Sequence, residues 1–541
     1  TAANLSNNGL IQSNGDLSFN LANLSNLSNI ISGGEFDITA SENVLNGGTL
    51  KSADNFTINA GSFSNLPSSL TLAENDLTIR ALSINNQNTK PSNLTINSGI
   101  VSAKAAVNLF TNSLNNNSGL VTGKTTLVSA LNAGNVNLYN SLGAFISTAA
   151  ISLNLGNIDY TITGTVTASN IDITANNITN QGNVTATDFI KLNATGNSGA
   201  AQSGNIINGF AGGDNSNISL TAGSYVNLIA KNNINNYGTI SATTNLTLTS
   251  LFGSINNYKN IFGGNGVASL NALSGAFNNN NQVSLFTANN NAIFNSKDLN
   301  NTGEISVAND LITNITNNLT NNPTALIWSG HDSIFNVTNA FFNNQADIYA
   351  DRNLTIQKNS STDNNQNKTN LVQNISGNIE TYGGDIKIKA NSINNARTNF
   401  ATQNQERLVY SVKSGNNWHD LTEYSFFGSN GIEGVIFSGA NAIIESGEIK
   451  NDGSSILATN NLTINSNSLN NTSHYVYAGN REHYLGKHDW ALKGRSDWKY
   501  YGGGKWNHHS EKYTYTTQLY ANASIKSGGS LVGSIASQIN N

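Results

Sequence analysis

The sequence predicts an all-β fold built as a β-solenoid, in which short strands wind into coils and the coils stack on one another. Apolar residues alternate in short runs, the runs recur about every 20 residues, and helix-type spacing of apolar residues is negligible. Only three prolines occur, as expected where nearly every backbone N–H joins a ladder. A coil of this length cannot bury its own apolar face, so neighbouring coils are expected to cover one another.

Residues 32–60 contain two copies of the repeating unit. Each copy places small residues in a turn and follows them with an alternating strand, which starts at Phe36 in the first copy and at Phe56 in the second, 20 residues later. Similar strand pairs recur along the chain at Leu17/Phe19, Leu77/Ile79, Leu94/Ile96, Ile171/Ile173, Ile190/Leu192, Val226/Leu228, Leu246/Leu248, Leu354/Ile356 and Ile386/Ile388.

Asparagine makes up roughly a fifth of the chain, whereas only 11% of the residues are charged. In a stack of coils, side-chain amides at equivalent turns lie about 4.8 Å apart and can hydrogen-bond to one another. Many coils end in an apolar residue and two asparagines, as at Leu114, Asn115 and Asn116. We expect the apolar residue to face the core and the asparagine pair to close the turn, so the sequence predicts ladders of amides.

Composition argues against several other classes of protein. The formal net charge is −5 and the charges are dispersed, unlike the basic face of a nucleic-acid-binding protein. The chain has no cysteine, and no apolar run is long enough for a membrane-spanning helix. We therefore expect neither nucleic-acid binding nor membrane insertion by this segment. It has no signal peptide and no methionine, so we expect a part of a longer protein.

The repeat breaks twice in the last third of the chain. We expect each break to be a hairpin or loop excursion from the solenoid, and the glycines at 502–504 predict a hairpin tip in the second. The predicted segments are repeats in 1–395, a first excursion in 396–429, repeats in 430–471, a second excursion in 472–520 and a final repeat in 521–541.

Residues 472–520 differ sharply in composition from the repeats. They hold five of the seven histidines, three of the five tryptophans, and seven Arg or Lys against four Asp or Glu. Aromatic side chains beside Arg and Lys are typical of binding interfaces, so the segment is predicted to contact a receptor or glycan. The alternative is a lateral sheet whose aromatic residues pack on the flank of the solenoid. The predicted binding residues here are Tyr475, Tyr477, Arg481, His483, Tyr484, His488, Trp490, Arg495, Trp498, Tyr500, Tyr501, Lys505, Trp506, His508 and His509.

The first excursion contributes two further candidates, Trp418 and His419. It is either a second part of the same binding surface or a local cap over the solenoid core. The histidines lack the helical or cysteine spacing of common metal sites, so no metal and no cofactor is predicted. Solenoid enzymes that act on polysaccharides need clustered carboxylates or a Ca²⁺ or Arg site in a groove, whereas Asp and Glu are sparse here. We therefore predict a protein that is not an enzyme.

The repeats resemble those of a known family. Residues 33–60 are similar to the haemagglutinin-type repeats of filamentous haemagglutinins. Residues 383–397 resemble a junction in that family, where a strand followed by Asn395, any residue and Arg397 precedes an excursion. Coils then resume with an Ile-x-Ser-Gly motif, here at Ile436. The CdiA-type effectors of contact-dependent growth inhibition share this organisation.

The resemblance implies an exported, right-handed parallel β-helix that is secreted through an outer-membrane two-partner-secretion transporter and displayed on the bacterial surface as a filament. In CdiA-like proteins a receptor-binding region follows the first repeat block, and both excursions lie where that region is expected. The resemblance thus implies binding to an outer-membrane protein or surface glycan of target bacteria, which permits delivery of a toxin carried elsewhere in the full protein. The alternative is a host-directed adhesin of the same build that binds a glycan or a host protein.

Overall fold

The computed structural model describes residues 2–86, 99–132, 134–197, 203–358, 367–398, 400–414, 417–487, 498–501 and 505–541, and for 400–430 and 475–520 it describes the backbone. The described residues form strands and turns and contain no helix. The chain divides into two compact units, Thr1–Thr338 and Asn339–Asn541. In both, strands pair in parallel with equivalent strands of the next coil, which confirms the predicted β-solenoid.

The first unit is formed by short strands, two or three to a coil. They are β1 (Ala2–Asn7), β2 (Leu10–Ser13), β3 (Leu17–Asn26), β4 (Asn29–Ser32), β5 (Phe36–Asn46), β6 (Thr49–Ser52), β7 (Phe56–Asn65), β8 (Leu70–Ala73), β9 (Leu77–Asn86), β10 (Ile100–Ala103), β11 (Ala106–Phe110), β12 (Ser113–Asn115), β13 (Leu120–Ser129), β14 (Asn137–Tyr139), β15 (Ala144–Asn154), β16 (Tyr160–Ile162), β17 (Thr165–Ala175), β18 (Ile178–Asn180), β19 (Asn183–Ala194), β20 (Ile206–Asn208), β21 (Ser219–Ala222), β22 (Val226–Ala230), β23 (Ile234–Asn236), β24 (Thr239–Ala242), β25 (Leu246–Ser250), β26 (Ile255–Asn257), β27 (Asn260–Gly263), β28 (Ala268–Asn279), β29 (Leu285–Ala288), β30 (Ala292–Asn301), β31 (Glu304–Val307), β32 (Leu311–Ile315), β33 (Asn318–Asn321), β34 (Leu326–Ser329) and β35 (Ser333–Val337).

The second unit combines further coils with a group of longer strands. Its strands are β36 (Ala340–Asn344), β37 (Asp347–Ala350), β38 (Leu354–Gln357), β39 (Thr369–Ile375), β40 (Asn378–Thr381), β41 (Ile386–Ala396), β42 (Phe400–Ser414), β43 (Asn417–Asn430), β44 (Val435–Ser438), β45 (Ala442–Asp452), β46 (Ser455–Ala458), β47 (Leu462–Thr472), β48 (His474–Lys487), β49 (Trp498–Tyr501), β50 (Lys505–Ala521), β51 (Ser524–Ser527) and β52 (Leu531–Asn540).

The repeat in the sequence becomes a repeat in the core. In β5 and β7 the apolar residues at alternate positions point inward, and Phe36 and Phe56 are fully buried. Because the two copies pair in register, Phe36 lies opposite Phe56, and their rings stack with centroids 4.4 Å apart. Gly48 lies in the intervening turn, where a Cβ would collide with the carbonyl oxygen of Ser28 in the preceding coil. Glycine is therefore needed where the turns of neighbouring coils touch.

Ladders of asparagines, most of them buried, run along the solenoid, as predicted. Asn46 accepts a hydrogen bond from Nδ2 of Asn26 and donates its own Nδ2 to Oδ1 of Asn65, both at 2.9 Å. Within the described residues the ladder joins Asn7, Asn26, Asn46, Asn65, Asn86, Asn116 and Asn140, then Asn180, Asn208, Asn236, Asn257, Asn279, Asn301 and Asn321, and in the second unit Asn343, Asn374, Asn395, Asn451, Asn471 and Asn541.

These bonds share one direction. In every one of them Nδ2 donates to the asparagine of the coil that comes later in the chain. Partly buried asparagines on the outer side of the strands form ladders of the opposite direction, since Asn256 donates to Asn235 at 2.8 Å and Asn278 donates to Asn256 at 2.7 Å. A pair such as Asn256 and Asn257 therefore supplies one member to each ladder.

Candidate functional site

The two interruptions of the repeat meet in one antiparallel sheet. Strands β42 and β43 come from the first interruption, strands β48, β49 and β50 from the second, and the order across the sheet is β42, β43, β48, β50, β49. The two are joined by β43 and β48, which pair from Trp418 opposite Leu485 to Tyr424 opposite Gly479. We call these five strands the insertion sheet. The excursions predicted from the sequence are therefore joined through their backbones.

The predicted binding residues are spread over four strands of the insertion sheet. Trp418 and His419 are in β43, and the register sets His419 opposite Tyr484 of β48. On the other side of the sheet, Trp498 of β49 is opposite His508 of β50. Strand β48 contains Tyr475, Tyr477, Arg481, His483 and Tyr484, strand β49 contains Trp498, Tyr500 and Tyr501, and strand β50 contains Lys505, Trp506, His508 and His509.

His488, Trp490 and Arg495 lie outside the described residues, as do the predicted hairpin-tip glycines at 502–504. Strands β49 and β50 pair on either side of those glycines, with Tyr501 opposite Lys505. For the other candidates in the sheet, the side chains lie outside the described part of the chain, so their role in binding stays a prediction.

Both interruptions leave the solenoid at the same corner, directly after a ladder asparagine. Strand β41 ends one residue after Asn395, and β47 ends one residue after Asn471. The ladder continues past each departure, because Asn395 donates to Asn451 at 2.8 Å and Asn451 donates to Asn471 at 2.7 Å. The insertions are thus added at a corner while the stacked core remains continuous beneath them.

Arg397 anchors the outgoing end of the first insertion. Its side chain is only 14% exposed. Nε donates to the carbonyl oxygen of Gly453, Nη1 donates to that of Gly431 at 2.6 Å, and Nη2 lies 3.7 Å from Oε2 of Glu433. Gly431 and Glu433 belong to the returning end of the same insertion, so one guanidinium ties its two ends together. The sequence motif had marked this arginine without giving its partners.

A second polar group lies on the outer face of the second unit. Nδ2 of Asn378 donates to Oδ1 of Asp347 at 2.8 Å, and Glu380 is on the same strand as Asn378. Burial raises the pKa of Glu380, and the nearby carboxylate of Asp347 raises it further. Among the described residues, no three His, Cys, Asp or Glu side chains are grouped so as to hold a metal ion. The described part of the chain also forms no helix long and apolar enough to cross a membrane.

Comparisons of this chain with family models, with curated proteins and with solved structures find no match. The long parallel β-solenoid implied by the resemblance to filamentous haemagglutinins is present in the structure.

Proposed function

We propose that this chain is a segment of a cell-surface filament of the CdiA-like, filamentous-haemagglutinin type, and that its insertion sheet binds a receptor on target bacteria. One observation carries the proposal. The two segments that break the repeat, which hold most of the tryptophans and histidines, are joined by pairing of β43 with β48 into one sheet. Aromatic and basic residues gathered in a single sheet have the composition of binding hot spots.

In this proposal the solenoid is the shaft and the insertion sheet is the contact surface. Repeats of one coil extend a protein in one direction, so they carry a binding element away from the cell that displays it. The filament reaches the cell surface through an outer-membrane transporter of two-partner secretion, and receptor contact permits delivery of a toxin carried elsewhere in the full protein. The receptor is an outer-membrane protein or a surface glycan.

Deletion of each insertion tests the proposal. In one variant a short Gly-Ser linker replaces residues 400–430, and in a second it replaces residues 475–520. Because the asparagine ladder continues beneath both insertions, each variant is expected to keep the strand signal of the solenoid in circular dichroism. Each is also expected to lose binding to target cells, because each removes strands from the one sheet.

Matched controls come from exposed aromatic residues of the solenoid. Tyr382 is 89% exposed and Phe252 is 69% exposed, and neither belongs to the insertion sheet. Tyr382→Ala and Phe252→Ala should bind cells as the wild type does, whereas Trp506→Ala and Tyr500→Ala should bind less. Undiminished binding by both deletion variants would refute the proposal.

The choice of cells separates this proposal from the host-directed alternative. Binding to bacterial but not to mammalian cells supports the CdiA-like function, and the reverse supports an adhesin. Protease treatment of the target cells abolishes binding if the receptor is a protein, and periodate treatment abolishes it if the receptor is a glycan.

A further inference from the structure

We infer that Asp452, Gly453 and Ser454 form a joint that fixes the two insertions relative to each other, and that receptor binding by the insertion sheet depends on it. We call these residues the 452–454 turn. The inference about binding rests on the function proposed above. The inference about the joint rests on contacts of described residues alone.

The position of the turn is the first observation. Strand β45 ends at Asp452 and β46 begins at Ser455, so this coil turns its corner within a few residues. Its neighbours on either side extend the long insertions from the same corner, since β41 and β47 both pair with β45. The short turn therefore lies between the bases of the two insertions.

The turn binds both ends of the first insertion. The backbone N–H of Arg397 donates to the carbonyl oxygen of Asp452 at 3.3 Å, and the Arg397 guanidinium donates to that of Gly453. At the returning end, the N–H of Gly434 donates to Oγ of Ser454 at 3.1 Å. Ser454 is fully buried, so its bond with Gly434 is shielded from water and is costly to break.

The turn also binds both ends of the second insertion. The N–H of Gly453 donates to the carbonyl oxygen of Thr472 at 2.9 Å, and Oδ1 of Asp452 bonds to Nε2 of His474, the first residue of β48. At the returning end, the N–H of Ser524 donates to the carbonyl oxygen of Ser454 at 2.9 Å. The turn thus touches all four points at which the insertions leave or rejoin the solenoid.

Gly453 shows how closely these points approach. Its φ of +56° is a left-handed conformation that favours glycine. A Cβ at this position would lie 3.2 Å from Cβ of Ala521, at the end of the second insertion, and 3.3 Å from Cδ of Arg397, at the start of the first. A side chain here would therefore press on both insertions at once.

The joint matters because the two insertions pair across a long gap in sequence. Antiparallel strands that meet with no connecting turn have no loop to set their register, and a slip by one residue turns every side chain to the other face. Because the 452–454 turn fixes the end of β43 and the start of β48 next to the solenoid, it constrains the register in place of a loop. It also pre-organises candidate residues from both insertions, which lowers the entropic cost of binding.

The test is Arg397→Ala in the full chain, with Arg397→Lys as a milder second variant that keeps the charge. Hydrogen exchange measured by mass spectrometry should be about tenfold faster in β43 and β48 and unchanged in Thr1–Thr338. Cell binding should fall by about tenfold or more. Lys450→Ala is the matched control, because Lys450 also contacts the turn, 3.8 Å from Oδ2 of Asp452, but is half exposed. It should leave both measurements as in the wild type.

A cross-link distinguishes loss of arrangement from loss of fold. The chain has no cysteine, and Glu423 lies directly opposite Asn480 across β43 and β48. Glu423→Cys and Asn480→Cys, added to Arg397→Ala, should restore binding when oxidised and not when reduced. If hydrogen exchange in β43 and β48 is as slow in both Arg397 variants as in the wild type, the inference that the 452–454 turn is a joint is overturned, whether or not the wild type binds cells. Faster exchange with undiminished binding would overturn its link to function. Absence of binding by the wild type would instead refute the proposed function, and the exchange measurement would still decide on the joint.

Discussion

The buried asparagine ladder is expected to contribute more to stability than the outer one, and the neighbours Asn257 and Asn256 allow a direct comparison. Asn257 is fully buried, accepts from Asn236 at 2.9 Å and donates to Asn279 at 2.9 Å and to the carbonyl oxygen of Leu285 at 3.2 Å. Asn256 makes two amide bonds of similar length, but it is only partly buried. The perturbations are Asn257→Ala and Asn256→Ala.

The expected magnitudes follow from what each substitution leaves behind. Asn257→Ala removes both ladder bonds and leaves buried polar atoms of Asn236 and Asn279 short of a partner, for a total cost of about 3 kcal/mol. Asn256→Ala removes two bonds that water can replace, which costs about 1 kcal/mol or less. A difference of about 2 kcal/mol corresponds to more than tenfold in a local opening equilibrium.

Hydrogen exchange in the full chain is the appropriate assay, because each coil of a solenoid contacts only its neighbours and the effect is local. Exchange in β23, β26 and the end of β28 should accelerate strongly in Asn257→Ala and weakly in Asn256→Ala. Strands several coils away, such as β5 and β7, serve as the internal reference. Equal acceleration in the two variants, or a larger effect of Asn256→Ala, would refute the reasoning.

Three further predictions concern stability. Ile162 pairs with Asn180, so it stands at the ladder position between the run that ends at Asn140 and the run that begins at Asn180. Because Ile162→Asn places an amide in this ladder position, thermal unfolding should show it to be less destabilising than Ile171→Asn at an equally buried site. Phe56→Ala should cost about 3–5 kcal/mol in denaturant unfolding, because the ring is fully buried against Phe36, whereas Phe252→Ala at the surface should cost almost nothing. The raised pKa of Glu380, caused by burial and by Asp347, favours the protonated side chain in the folded state, so its contribution to stability is lost as pH rises through that pKa. Glu380→Gln should therefore be more stable than the wild type at pH 7 in denaturant unfolding, and the difference should shrink as the pH is lowered.

The solenoid could be predicted from the sequence because its signals are local and repeated. Alternation identifies Phe36 and Phe56 as inward residues, and a fixed period places them opposite each other. The same alternation separates the members of an asparagine pair: Ile255 points inward, so Asn257, two residues later, points inward as well and Asn256 does not. The alternation of inward and outward side chains therefore also determines which asparagine enters the buried ladder, although the prediction treated the two alike.

The insertion sheet could be predicted only in part. Composition and the loss of the period predicted two excursions, but the pairing of β43 with β48 joins segments about 60 residues apart that share no repeat. Arg397 appeared in a sequence motif, yet its partners Gly431 and Gly453 are backbone carbonyls, which carry no signature in the sequence. Contacts of this kind become visible only when the corner that brings them together is known.

The single direction of the buried ladder gives the solenoid two unlike faces. At the buried ladder, a folded coil presents an amide N–H donor to the coil that comes later in the chain and an amide oxygen to the earlier coil, whereas the outer ladder runs the other way. A growing solenoid therefore offers the next segment one buried amide donor beside the apolar core. Since each added amide extends an aligned chain of dipoles, every coil strengthens the site that receives its successor. We expect an incoming coil to meet an amide donor when it adds on the carboxyl-terminal side and an amide acceptor when it adds on the amino-terminal side, so the buried ladder makes the two directions of growth chemically different.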